Sequence, residues 1–359
     1  MLWRFRLPSN GVGGVAVSQE TVVVSSRDAS DEADQFFILD ATSGLELASL
    51  RYDSSLKLDY GNSPRATPVI LEDQVLTLGA GGQLHAISLE DGTVRWSRHL
   101  VRDFEGVMPL WGYASSPYVV GDRVIVQPGG VRTGWLALDL RSGREIWRAP
   151  GRPAAYASGL LVDWSGVPQW IGYDNQSLGA WNATDGRRFW EIQPEIDGDF
   201  NVPSPVVLED KIFVVTENNG ARLYQLPSPD DSRGVPRLIA ASDLLMHDSN
   251  SPVRVGRWVA GIDGSLVVLD PQNHLALHAR WEDPALSGFC SLIADNSRLL
   301  VTTSKGVCIL LKVSEQGIRE LGRTVFEESE GDLLAHPAFE NGVLFVRGPS
   351  WISAYRWNE

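Results

Sequence analysis

Gln83-Leu-His-Ala-Ile-Ser-Leu-Glu-Asp-Gly-Thr-Val-Arg-Trp96, Gly134-Trp-Leu-Ala-Leu-Asp-Leu-Arg-Ser-Gly-Arg-Glu-Ile-Trp147 and Ser177-Leu-Gly-Ala-Trp-Asn-Ala-Thr-Asp-Gly-Arg-Arg-Phe-Trp190 are three copies of one pattern. Each sets Asp-Gly or Ser-Gly between an alternating apolar run and a tryptophan. Alternation with period two is the mark of a half-buried strand, and those dipeptides tolerate the positive φ of a tight turn, so each copy reads as a hairpin. Weaker copies are Phe36-Phe-Ile-Leu-Asp-Ala-Thr-Ser-Gly44 and Ser265-Leu-Val-Val-Leu-Asp-Pro-Gln-Asn-His274, the second leading to Trp281.

A further apolar strand precedes each copy, and this strand counts the units. It recurs as Thr21–Ser25, Gln74–Leu78, Arg123–Gln127, Pro168–Gly172, Lys211–Val215, Arg257–Gly261, Arg298–Thr302 and Gly342–Val346, eight times in all. Val22 and Val343 lie 321 residues and seven intervals apart, or about 46 per unit, within the ~40–50 residues of a four-stranded blade. The expected fold is therefore all-β: an eight-bladed β-propeller of four-stranded antiparallel blades. A β-solenoid or two stacked sandwiches is the alternative.

The last unit, ending Trp351-Ile-Ser-Ala-Tyr-Arg-Trp357, has a third strand but no fourth, and Leu2-Trp-Arg-Phe-Arg-Leu7 supplies the missing one. Residues 1–359 then form a single domain. Its blades fall near 11–52, 66–100, 114–149, 156–193, 202–242, 251–282, 290–326, and 335–357 plus 1–8.

Composition excludes more than it identifies. With 43% hydrophobic and 21% charged residues the chain is globular, and 13 Trp with 35 Gly suit many short strands with tight turns. The net charge of −14 repels phosphate backbones and anionic lipid, which argues against nucleic acid. No apolar run is long enough to span a bilayer, so membrane insertion is not expected. The segment Met1–Pro8 lacks a signal-peptide core, which points to the cytoplasm as written and to the periplasm or another exported location if a leader was removed. A monomer is expected.

The pattern running from Ala86 to Trp96 and from Ala137 to Trp147 resembles the repeat of the pyrroloquinoline quinone (PQQ) family of propellers. That family contains quinoprotein alcohol dehydrogenases and bacterial non-enzymatic relatives of the BamB type. The resemblance implies the propeller fold, and for an enzyme it implies PQQ, calcium, a base aspartate, an aromatic platform and a vicinal cysteine pair. Cys290 and Cys308 are 18 positions apart and sit in apolar, strand-like runs, so the pair is absent and each thiol acts as a small hydrophobe.

Other chemical motifs are incomplete. Asp197-Gly-Asp-Phe-Asn201 begins like a calcium loop, but Val202 stands where the sharp turn needs glycine and Leu208 where a bidentate glutamate belongs. His274 and His278 share one strand face with no further zinc ligands nearby. Gly11-Val-Gly-Gly14 lacks the spacing of a dinucleotide loop and reads as the start of a strand. No nucleophile elbow or phosphate loop occurs. Neither a metal site nor a catalytic residue is expected.

What remains is geometric. In a propeller the segments leading into the innermost strands gather at one channel mouth, and here they carry Arg65, Trp111, Tyr113, Tyr156, Asn201 and Asn250. Aromatic walls with a few polar groups suit a ligand pocket or a protein hot spot. The competing role for these residues is to satisfy the turns they sit in. The leading reading is a non-catalytic scaffold binding a protein or peptide, with no cofactor. The alternative is a PQQ-dependent or other small-molecule oxidoreductase with an atypical site in the same funnel.

Overall fold

The computed structural model describes residues 1–18, 20–231, 234–326 and 331–357. It contains eight four-stranded antiparallel sheets, each made of strands consecutive in sequence except the last. This is the all-β, eight-bladed propeller fold. Two compact units carry four blades each, one formed by residues 1–154 with 329–359 and the other by residues 155–328.

In the first unit, the first blade runs through Ala16–Val17, Thr21–Arg27, Ala33–Asp40 and Glu46–Asp53. The second comprises Val69–Ile70, Gln74–Leu78, Gln83–Ser88 and Val94–His99, and the third Tyr118–Val120, Arg123–Val126, Trp135–Asp139 and Glu145–Ala149. The eighth blade, Ala338–Glu340, Val343–Arg347 and Trp351–Arg356, is completed by Trp3–Arg6, which pairs antiparallel with the third of these strands. The second unit holds the fourth to seventh blades, which begin at Leu160, Val206, Val253 and Cys290. Second and third strands are buried along most of their length, as in Thr21–Arg27 and Gln74–Leu78. Near-continuous apolar sequence there reflects burial on both faces.

The repeat has a mechanical basis. In the first four blades the turn glycine (Gly44, Gly92, Gly143, Gly186) has positive φ and donates its N–H to the carbonyl four residues back. In seven blades the outer strand then carries a β-bulge, whose extra residues include Leu47, Arg95, Ile146 and Phe189. A bulge re-aims the side chain that follows it. That side chain is Trp96, Trp147 or Trp190 where the repeat is complete, and all three are buried. Trp96 of the second blade lies across Gly143 of the third and donates its indole N–H to the Leu140 carbonyl at 3.0 Å. Trp3 of the eighth blade treats the first blade in the same way, lying across Gly44 and donating to the Ala41 carbonyl at 3.0 Å. The glycine and the tryptophan of the pattern therefore meet between adjacent blades.

Two expectations fail locally. Residues Gly11 to Gly14 do not begin a strand, since the strand starts at Ala16. They thread closely packed space instead: a Cβ on Gly11 would lie 2.2 Å from the Arg347 guanidinium and one on Gly14 2.3 Å from Thr67 Oγ1. Nor do His274 and His278 share a strand face. His274 ends a short 3-10 turn in the left-handed region, while His278 lies in the bulged part of the outer strand and stacks on Trp258 with centroids 4.4 Å apart.

Burial also sets one pH dependence. His85 packs against the Tyr52 ring in the first unit, with centroids 4.5 Å apart, and burial pushes its pKa down from 6.5 to about 4. Between those values the unfolded chain holds a proton that the folded chain does not, so stability falls as pH drops through this window. At ~1.4 kcal/mol per pH unit the full loss is about 3 kcal/mol. We expect His85→Phe to flatten the fall in denaturation midpoint between pH 7 and 4. Nearby Asp34, pushed upward by burial, acts in the opposite sense in both proteins, so the difference between them isolates the histidine. Parallel pH profiles would contradict this assignment.

Candidate functional site

The six expected residues divide between the two units. In the first unit, Arg65 is half-buried and its guanidinium donates to three carbonyls of its own loop: Ser63 at 2.7 Å, Asp59 at 2.8 Å and Gly61 at 2.9 Å. Those last two flank Tyr60, which takes the left-handed conformation and is 78% exposed. Its ring meets Trp111 edge-on with centroids 6.3 Å apart. Arg65 and Trp111 are thus brought together through a tyrosine that sequence reasoning did not single out.

Tyr113 lies beneath this surface. It is buried, its hydroxyl donates to the Pro128 carbonyl at 2.8 Å, and burial pushes its pKa up. Pro128 also accepts the Val107 N–H at 3.0 Å, so Tyr113 helps anchor the loop from 105 to 111. The loop follows a five-residue helix, Leu100–Phe104, and presents Val107, Met108 and Leu110, the last 72% exposed. The Met-Pro-Leu-Trp run was the available signal, since it follows no strand or helix period and so has no core face to occupy.

In the second unit Tyr156 is half-buried, while Asn201 and Asn250 are buried and used internally. Asn201 donates its amide to the Asp174 carbonyl at 3.0 Å, and its own carbonyl accepts the N–H of Ala157, next to Tyr156. Asn250 bridges the Ile262 carbonyl and the Cys290 N–H. Related ties run from Val12 to Ser63, Thr67 to Ser116 and Ser204 to Ser251. Short polar side chains in these lead-in segments hold consecutive blades in register, which accounts for the recurring Ser-Pro and Asn.

The chemistry available is limited. Cys290 and Cys308 are buried, burial pushes both thiols up to about 11, and they lie on the two strands that flank Arg298–Thr303. They do not supply a vicinal pair beside a quinone. Asp199 accepts from the Asn218 N–H and the Asn219 amide, so the acidic turn clamps its neighbouring hairpin. Among the described residues no group of three or more His, Cys, Asp or Glu is placed to hold a metal ion. The candidate surface consists of exposed Tyr60, Val107, Met108 and Leu110 beside half-buried Trp111, with Arg65 and Tyr113 bonded to the loops that carry them.

Comparison with known proteins gives the family of the chain. The sequence profile of the PQQ-repeat family described as outer membrane protein assembly factor BamB matches residues 1–168 and 137–273. The chain belongs to that family. Outer membrane protein assembly factor BamB of Yersinia pestis is 30% identical over 165 residues, covering 44% of this chain and 36% of the relative. The match thus spans about a third of that relative's length.

Among solved structures, BamB of Moraxella catarrhalis aligns over 99% of this chain and 98% of its own with a TM-score of 0.66 at 15% identity. The quinohemoprotein alcohol dehydrogenase ADHIIG of Pseudomonas putida aligns over 99% and 75% with a TM-score of 0.67 at 13% identity. The computationally designed Ika8 protein reaches 0.66 at 10% identity over 98% of both chains. A BamB protein, an alcohol dehydrogenase and a designed chain match this member of the BamB family almost equally in shape. Shape therefore does not choose among activities.

Proposed function

We propose that this chain is a non-catalytic BamB-family scaffold that binds a protein or peptide partner through its lead-in loops. The observation that supports this best is the surface formed by Tyr60, Val107, Met108, Leu110 and Trp111, apolar and aromatic, set on a base of Arg65 and Tyr113 bonds. Aromatic anchors on a pre-formed base lose little entropy on binding. In the second unit half-buried Tyr156, next to the Ala157 N–H that Asn201 accepts, has the corresponding role, while Asn250 ties the Ile262 carbonyl to the Cys290 N–H. No helix of the described residues is long and apolar enough to cross a membrane. The relatives give no support to a cytoplasmic location, and the family description favours export to the cell envelope.

The test is complementation of a strain lacking the gene. Wild-type chain is expected to restore outer-membrane protein levels, while Leu110→Ser fails to do so with a stability within about 0.5 kcal/mol of wild type, as for an exposed position, and Trp111→Ala, at a half-buried position, fails to do so with a larger loss of stability. Arg65→Ala is expected to weaken function as well, but with a measurable loss of stability, because it removes three loop ties. Saturable quenching of tryptophan fluorescence by PQQ with Ca²⁺, accompanied by dye reduction, would instead favour the oxidoreductase. Full complementation by Trp111→Ala would overturn the assigned surface.

A further inference from the structure

Arg347 ends the second strand of the eighth blade and is 1% exposed. Its Nη2 donates to the Ser25 carbonyl at 2.9 Å, while Nε and Nη1 have no hydrogen-bond partner among the described residues. No carboxylate of those residues pairs with it either: burial pulls the guanidinium down to about 9, still charged at neutral pH, and no acid holds it up. Arg27 of the first blade is the contrast, since it is 2% exposed but held by Asp31 and Asp34 at 2.8 Å each. Nor does the fold require a cation at 347. Phe345, Val23 and Leu76 pair with Ala338, Ala16 and Val69 in their respective blades, so two residues further on the register sets Ser25 and Leu78 where the eighth blade has Arg347.

We infer that Arg347 is the cation of an internal anion site, and that this site takes a small inorganic monoanion of the chloride class. A buried charge is costly unless it is both paired and hydrogen-bonded, and an anion against the open N–H groups supplies the two together. The surroundings set the charge and size of the ligand. One guanidinium balances one negative charge. Gly11 lies directly against it, because a Cβ there would be 2.2 Å from Nη2, 2.7 Å from Cζ and 2.8 Å from Nη1, so that side has no room for a phosphate or for a carboxylate carried on a chain. The way in is short: Gly11 and Val12 are half-buried and Asn10 is exposed, and an ion passing this segment reaches the guanidinium. Glycine at 11 thereby gains a reason, since any side chain would displace Arg347. None of these residues belongs to the loop surface proposed above, so either proposal can fail alone.

Urea denaturation of the whole chain, with sodium chloride replacing sodium gluconate at constant ionic strength, tests this. Wild type is expected to gain stability along a one-site curve, the folded-to-unfolded ratio rising about elevenfold at ten times the dissociation constant. Bromide should act like chloride, and the chloride NMR line should broaden with the protein and narrow again when bromide is added. Arg347→Met exchanges a buried charge for an apolar side chain, a change often neutral or stabilising, and is expected to erase both signals. Gly11→Ala, which drives a methyl into the guanidinium, is expected to weaken chloride at least tenfold, and it gives the reading by itself if Arg347→Met fails to fold. Stability indifferent to chloride with no excess linewidth would leave water as the partner of the guanidinium and overturn the site. Equal chloride signals in wild type and in a folded variant would place the ion elsewhere and overturn the assignment to Arg347.

Discussion

Removal of residues 1–8 is expected to lower or abolish the cooperative unfolding transition of the protein. The deletion takes away the outer strand of the eighth blade, which pairs Trp3 with Ala354 and Arg6 with Trp351. Trp3 and Leu7 belong to the buried cluster that also contains Phe345, Ile352 and Val22, and Phe5 packs against Phe37 with centroids 5.2 Å apart. Arg4 adds a guanidinium 4.4 Å over the Trp351 ring. Losing a buried tryptophan costs about 3–5 kcal/mol and a buried leucine about 2–5, against a typical total stability of about 5–15 kcal/mol. The deletion also opens Trp351–Arg356 as an apolar edge, a template for aggregation. Calorimetry of the truncated chain should show a lowered, broadened or absent transition, with soluble aggregates by light scattering. A synthetic peptide of residues 1–8 should restore part of the midpoint, since the berth for Trp3 at Gly44 remains. An unchanged midpoint without the peptide would contradict completion of the blade by this strand.

The sequence made this strand legible because its partner was visibly incomplete: Trp351–Trp357 ended a unit one strand short. Blade number and strand order were equally legible, because period-two burial and Gly-x-x-x-Trp spacing are local properties of the chain. Loop function was not. Arg65 was singled out for its charge, but a guanidinium within reach of three carbonyls in its own loop satisfies that loop first. Asn201 and Asn250 look in sequence like amides available to a ligand, and burial turns them into ties between lead-in segments. Tyr60 and Leu110 gave the weaker sequence signal and became the exposed ones, because exposure depends on how two loops from different blades meet.

The second large effect concerns the complete tie. Trp96→Ala is expected to destabilise the chain by about 3–5 kcal/mol, the usual cost of losing a large buried aromatic. Trp96 is 6% exposed and touches the third blade through both its ring face and its N–H. The natural alanine at 48, which pairs with Ile38 as Trp96 pairs with Ala86, does not predict tolerance at 96. There Gly92 sits against the Ala48 methyl, with a built Cβ only 2.6 Å away, so those elements have already closed on each other. At 96 the ring itself fills the space over Gly143, and removing it leaves a cavity unless two sheets shift together. Partial closure would bring the loss toward the lower end of the range. Two companions separate ring from hydrogen bond: Trp96→Phe should keep most of the packing and lose about 1 kcal/mol for the missing N–H donor, whereas Gly143→Ala should be severe. A Cβ there would lie 2.6 Å from the Trp96 ring, on a backbone with φ of 63°. Trp190, which packs in a cluster with Ile212 and Leu226 of the fifth blade, should follow Trp96 in magnitude when replaced by alanine. Urea denaturation of the four variants gives the ordering directly. A loss below about 1 kcal/mol for Trp96→Ala would mean that the tryptophan does not hold the blades together and that the repeat is kept for some other reason.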